Sequence, residues 1–499
     1  MLKIIASEIV KLDSNVYTGG GTDATDMLQA VLDKAPEAGG VHLIMDGAAL
    51  VRGLKIHSNT TIECVNADCG FYMMDNINRP ILANYNWSVL EITTKNITLI
   101  GGTYNHNCEH QVHHLTMEEY PFPPRNVSDG VYDEHLIYLM EFYGVENFAA
   151  RDIHFRNQRT YTLTLGNFKN ALVENCVIDV GDSVLGNQDG FHFFGPGKFL
   201  TMRNLRGCTG DDFINLSADE MDGISPITDV LIDGITLDDT YQGIRMLSRG
   251  SGRIDRVTLR NIKGAYRTFA FSIEPFYKGE TFGSYGDIFI ENVDLRQIKE
   301  TYHYTPMTFM QLGGDMDCVT LKNIRFLNPV RNSTFVELGR PFFYRPEELT
   351  EEEAALHGIP DMAIYAVDRD WVPEGKRPTI KNFTIDNLIF EGDEKTDGMD
   401  FIEAKYNIEN LTLKNIKAFK NGKAKTSGSI LKLSKEADIK RLFLENIYAE
   451  NFESIVSGGG EHSIDLTVAN NILLKNGGKI FETDKVKKGT EVLENAKKI

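Results

Sequence analysis

Two acidic turns stand out, because the residues around them repeat at one spacing. The first lies in "VGDSVLGNQDGFHFFGPG" and the second in "RGCTGDDFINLSADE"; aligned, they set Asp189 against Asp212, Phe191 against Ile214, His192 against Asn215 and Phe193 against Leu216, each 23 residues apart. On adjacent strands in that register, alternation turns the four apolar residues to one side. Asp189, Asp211, Asp212, His192 and Asn215 then share an outer patch. Crowded carboxylates raise one another's affinity for a proton, so one holds a proton while another stays ionised. That is the set needed to cleave a glycosidic bond: an acid for the leaving oxygen and a base or nucleophile for the anomeric carbon. The competing reading is two turns in which Asp serves only as a local cap.

The same alignment carries further residues to this face. "DDTYQGIRMLSRGSG" puts Ile244, Arg245 and Met246 where Ile214, Asn215 and Leu216 stand, with Gln242 nearby. "AYRTFAFSIEPFYKG" offers Arg267 and Glu274 one coil later. Arg245 either neutralises the carboxylates or holds a substrate hydroxyl or carboxylate through paired hydrogen bonds. The loop "YNHNCEHQVHHLTMEEYPFPP" collects His106, His110, His113, His114 and Cys108. These are zinc-type ligands, but their spacing fits no standard site, and the segment is read as lining the cleft. No cofactor or metal is expected.

A repeat must position these groups. Short β-branched runs followed by Asn and an aliphatic residue recur as "ALVENCVI", "FLTMRNLR", "VTLRNIKG", "IFIENVDL", "VTLKNIRF", "FTIDNLIF", "LTLKNIKA" and "LFLENIYA". The Asn falls at 175, 204, 261, 292, 323, 387, 415 and 446, with Gly234 in the same slot of "VLIDGITL". A period near 30 with β-type residues and no intervening amphipathic helix predicts a solenoid of short strands joined by turns, successive coils pairing in parallel. The Asn side chains then form a ladder. One domain is expected over 1–499, with a cap and first coils in 1–60 and loop insertions at 102–130 and 328–380. In "GTDATDMLQAVLDKAPEAGG", Thr22 or Asp23 caps a helix whose positions 24, 27, 28, 31 and 32 share an apolar face. It is expected to cover the open end of the coil. The 64-residue interval between Asn323 and Asn387 reads as an extra coil plus an insertion, with an acidic run at 347–355. Phe342, Phe343, Tyr344 and Trp371 there are available to stack on a sugar.

Composition narrows the partners. A formal charge of −19 argues against nucleic acid, whose phosphates require clustered Lys and Arg. No apolar run reaches the roughly 18 residues of a membrane helix. Six cysteines without a CxxC pair predict free thiols, mostly interior. "MLKIIASEIV" has no apolar leader core, which reads as cytoplasmic, although a processed export form would look the same. The oligomeric state has no signature.

The motifs "NQDG" and "GDD", together with the "GGGTDATDMLQAVL" opening and the coils, resemble the polygalacturonase group, glycoside hydrolase family 28, and the wider pectate-lyase-like superfamily. The resemblance implies an all-β, right-handed parallel β-helix with an N-terminal capping helix. It also implies inverting hydrolysis, with Asp211 as general acid and Asp189 and Asp212 activating water. His192, Asn215, Gln242, Arg245, Arg267 and Glu274 would then hold carbohydrate. Two features depart from the family. Where it has Gly-His-Gly, this chain has "TYQGIRM", with Tyr241 and Gln242; where it has Arg-x-Lys, "YRTFAF" supplies Arg267 and no Lys. The expected substrate is therefore a neutral or differently charged glycan. A polysaccharide lyase on the same fold and a non-catalytic, tailspike-like glycan binder are the alternatives.

Overall fold

The computed structural model describes the chain apart from residues 78, 112–136, 182–186, 219–224, 249–251, 276–282, 299–307, 328, 331–333, 340–376, 422–423, 461–463, 483–490, 496 and 499. Two compact units are formed, Met1–Tyr241 and Gln242–Ile499. Each is a stack of parallel coils in a right-handed β-helix.

In the first unit the strands Met140–Arg151, Leu163–Glu174 and Phe191–Gly207 pair in parallel, Met140 with Leu163 and Leu163 with Phe191. The later part of Phe191–Gly207 goes on to pair with Ile227–Thr240. Its start instead pairs with Asp212–Ser217, Phe191 meeting Ile214 and His192 meeting Asn215. The expected 23-residue register is thus the observed one. Leu163, Leu165, Phe191, Phe193, Ile214 and Leu216 are all fully buried, because alternate side chains of each rung enter the coil.

The recurrent Asn explains how one strand turns a corner. Asn175 and Asn204 have φ of 54° and 52°, and Asn261, Asn292 and Asn323 have 60°, 57° and 56°. This left-handed backbone suits Asn better than most side chains. It also reverses the inside–outside alternation: around Asn261, Leu259 is buried, Arg260 and Asn261 are exposed and Ile262 is buried. The amides stack as expected, Asn204 Nδ2 donating to Asn175 Oδ1 (3.1 Å), and Asn292 to Asn261 (3.1 Å). Gly234 takes the slot with φ 82°, and a Cβ there would stand 2.9 Å from Asn204 Oδ1.

The second unit repeats this pattern from Arg253–Tyr266 to Ile464–Lys475. It corrects one expectation. Asp315–Leu327 pairs directly with Thr379–Gly392, and Asn387 Nδ2 donates to Asn323 Oδ1 at 2.8 Å. The 64-residue interval is therefore one coil carrying an insertion, with no extra rung. Stacked Phe rings fill this unit, Phe309 on Phe335 at 4.4 Å and Phe335 on Phe401 at 4.6 Å. The aromatics at 342–344 and 371 and the run 347–355 lie outside the described residues.

The N-terminal helix spans Thr25–Leu32 and packs on Val41–Met45 and Leu54–Ile56. Asp23 Oδ1 accepts from the Thr25 N–H at 2.9 Å. Ala24, Leu28, Val31 and Leu32 are buried, but Met27 is 53% exposed. The buried stripe runs through Thr25 instead, so Met27 was misplaced by counting a wider apolar arc than the helix uses. All six cysteines are free; Cys64, Cys69, Cys108 and Cys176 are buried. Among the described residues no helix is long and apolar enough to cross a membrane.

Candidate active site

The first unit brings Asp189, Asp211 and Asp212 together: one carboxylate oxygen from each lies within 4.8 Å of the others. Asp189 directly precedes the Gly190–Phe191 turn into its strand, and Asp212 opens the next rung. Backbone hydrogen bonds continue the ladder past the strand ends, Thr162 N–H donating to Asp189 O (3.0 Å) and Gly190 N–H to Asp212 O (2.8 Å). The Gly-Asp-Asp turn is held by Gly210 and Asp211 N–H groups on Gln188 O (3.2 and 3.3 Å) and by Thr209 Oγ1 donating to Asp211 O (2.8 Å).

His192 and Asn215 face the carboxylates. His192 Nδ1 stands 2.7 Å from Asp189 Oδ2, so this nitrogen carries the donated proton. Asn215 Nδ2 donates to Asp212 Oδ2 at 2.9 Å and its Oδ1 accepts from Ser217 Oγ at 2.8 Å. The five side chains expected to share a patch therefore do so. They do not form an open outer surface, however. Asp189, His192, Asp212 and Asn215 are 1–3% exposed, and only Asp211 is partly exposed. The cover includes rings the sequence reading overlooked: Tyr161 stacks on His192 (4.1 Å, 8°), Tyr138 on Tyr161 (4.6 Å, 6°), and Phe194 leans on His192 at 4.5 Å. Running the register back one coil would have found Tyr161. Phe191 pairs with Leu163 at an offset of 28, which sets Tyr161 level with Asp189.

In the second unit Arg245 donates to Gln242 Oε1 and lies over the Phe269 ring, 5.0 Å from its centre. Both residues are buried. Arg245 pairs with Ser272, whose Oγ donates to Glu274 Oε1 at 3.2 Å; Glu274 is buried as well. Arg267 stands in the turn after Arg253–Tyr266.

The His/Cys loop has a structural explanation. His106 is fully buried, with Nε2 3.0 Å from Arg79 O and Nδ1 accepting from the Arg159 N–H at 3.1 Å. Burial lowers its pKa to about 4. Both ring nitrogens are thus occupied. His110 Nδ1 meets Asn107 Oδ1 at 2.7 Å, and burial pushes the Cys108 thiol up to about 11. His113 and His114 lie outside the described residues. The better oxygen donor set for a hard divalent cation is the Asp189, Asp211 and Asp212 cluster itself.

No family model matches the chain, and no curated protein matches its sequence. Among solved structures it is similar to the Family 28 exopolygalacturonase of Yersinia enterocolitica, with 12% identity over 100% of this chain and 77% of that one and a TM-score of 0.50. It is also similar to a mutant tailspike protein of E. coli bacteriophage HK620, with 11% identity over 96% of this chain and 75% of that one and a TM-score of 0.61. The HK620 tailspike protein in complex with a pentasaccharide gives 12% identity, 95% and 75% coverage and a TM-score of 0.59. The chain shares with these proteins the right-handed parallel β-helix fold.

Proposed function

We propose that the chain is a glycoside hydrolase and that Asp189, Asp211 and Asp212 are its catalytic carboxylates. The observation that carries this reading is their convergence: three carboxylates from adjacent rungs meet within 4.8 Å. Three negative charges at that distance are costly unless one is protonated. Hydrogen bonds from His192 and Asn215 stabilise charge on Asp189 and Asp212. Asp211, the partly exposed member, is then the one that holds the proton. It delivers that proton to the glycosidic oxygen as the bond to the anomeric carbon breaks. A water that loses its proton to Asp189 or Asp212 supplies the hydroxyl. The fold neighbours, a family 28 exopolygalacturonase and a tailspike solved with a pentasaccharide, support a carbohydrate substrate. Gln242, Arg245, Arg267 and Glu274 are proposed as substrate-binding groups on their chemistry.

Stereochemistry is a separate proposal. The family resemblance favours inversion. Oxygen separations below 4.8 Å are shorter than the ~6.5–9.5 Å usual for an inverting pair of carboxyls, and a third carboxylate makes room for a two-base account of water activation. Proton NMR of the first-formed anomer decides, and retained configuration refutes inversion. For the catalytic reading itself, purified protein is screened on plant, algal and host oligosaccharides, and Asp211→Asn is compared on the substrate found. Turnover should fall by ~10²–10⁴-fold or more with the fold intact. Unchanged turnover rejects the role of Asp211, and unsaturated, ultraviolet-absorbing products would identify a lyase instead.

A further inference from the structure

The face that carries the carboxylates is closed on their N-terminal side. Glu141, Thr164 and His192 occupy one column of the sheet by register. Their neighbours Met140, Phe142, Leu163 and Leu165 fill the coil interior, so this column points outward. An outward column on a solvated coil should be wet; these three residues are 0–1% exposed. A second column lies beside it. The offsets of 23 and 28 that relate Met140 to Leu163 and Leu163 to Phe191 also relate Tyr138 to Tyr161 and Tyr161 to Asp189. Tyr138 is fully buried and Tyr161 is 6% exposed. On the far side, Tyr143 and Phe194 face each other (6.2 Å, 17°) across Gly166, where a Cβ would come within 2.4 Å of the Tyr143 ring. All three columns are filled, and the partly exposed carboxylate is Asp211.

We infer that Tyr161, backed by Tyr138, is a wall that makes the enzyme exo-acting, a specificity that rests on the glycoside hydrolase reading above. One rung, about 4.8 Å, separates Tyr161 from Asp189, which is the length of roughly one sugar ring. A polymer cannot run on past the carboxylates over buried rings. Its end docks against Tyr161, and the remainder leaves the cleft past Asp211. Each cleavage therefore releases a mono- or disaccharide.

The experiment uses the full chain and reducing-end-labelled hexasaccharides of galacturonan, xylan, galactan and mannan. Early products should be chains shortened from one end by one or two sugars. Tyr161→Phe keeps this profile, whereas Tyr161→Ala raises the share of internal cuts at least tenfold. A labelled trisaccharide as the first product of the parent protein overturns exo action and leaves the hydrolase reading standing. Absence of cleavage of every hexasaccharide overturns both. The wall is read independently of turnover through Thr164→Cys. Its thiol should react with a maleimide at least tenfold more slowly in the folded protein than in urea, and Tyr161→Ala should release it. Fast labelling in the folded parent background overturns the wall.

Discussion

Replacing Asn292 tests the stacking on which the site depends. Its backbone sits at φ 57°, its Nδ2 donates to Asn261 Oδ1 at 3.1 Å and its Oδ1 accepts from Asn323 Nδ2 at 3.0 Å. Asn292→Ala loses both bonds, each exposed and contributing ~0.5–1 kcal/mol net. It also forces a Cβ-bearing residue without a compensating amide into the left-handed region, at ~1–2 kcal/mol. The expected loss is about 2–4 kcal/mol. Asn292→Gly loses the same bonds without that conformational term, so about 1–2 kcal/mol is expected. The chain already contains this substitution, for Gly234 occupies the slot at φ 82°. Urea unfolding followed by far-ultraviolet circular dichroism should order the midpoints as parent, then Gly, then Ala. An Ala variant as stable as the Gly variant would refute the argument that backbone handedness selects the ladder residue.

Three further outcomes are expected. His106 is held neutral, with a folded pKa of about 4 against 6.5 when unfolded. Its contribution is fully present above pH 6.5 and is lost as pH falls through 4; the parent should lose up to about 3 kcal/mol more than His106→Gln over that window, and parallel stability curves would sink the assignment. Burial pushes the thiols of Cys64 and Cys176 up to about 12 and that of Cys108 up to about 11. A thiol-disulfide reagent at pH 8 should therefore react promptly with the partly exposed Cys208 and Cys318 alone, the other four titrating only after unfolding. Finally, if the acidic cluster acts through proton transfer, dialysis against EDTA should leave turnover on the identified glycan unchanged; loss restored by calcium would favour a metal-assisted lyase.

The coil and its register were legible because one side chain, the corner Asn, recurs wherever the strand must bend, and because the two acidic turns share an offset. The features that escaped were those that do not repeat. The 64-residue gap between Asn323 and Asn387 hid a single rung, since sequence distance counts insertion and coil alike. Tyr161 escaped because its offset to Asp189 is 28 and not 23. The burial of His192 and Asn215 escaped for a different reason: alternation tells which way a side chain points, but not what lies on top of it. Met27 shows the same limit on a helix, where an apolar residue at the margin of the stripe faces water.

At one level of the sheet, successive rungs carry Tyr138, Tyr161, Asp189 and Asp212, while the residues beside them that enter the coil stay apolar. The scaffold is thus indifferent to what is written at that level. Reactivity becomes a matter of which letters occupy a few adjoining lines, editable one line at a time without rewriting the interior. Proteins built on this plan can diverge in chemistry while their backbones still superpose.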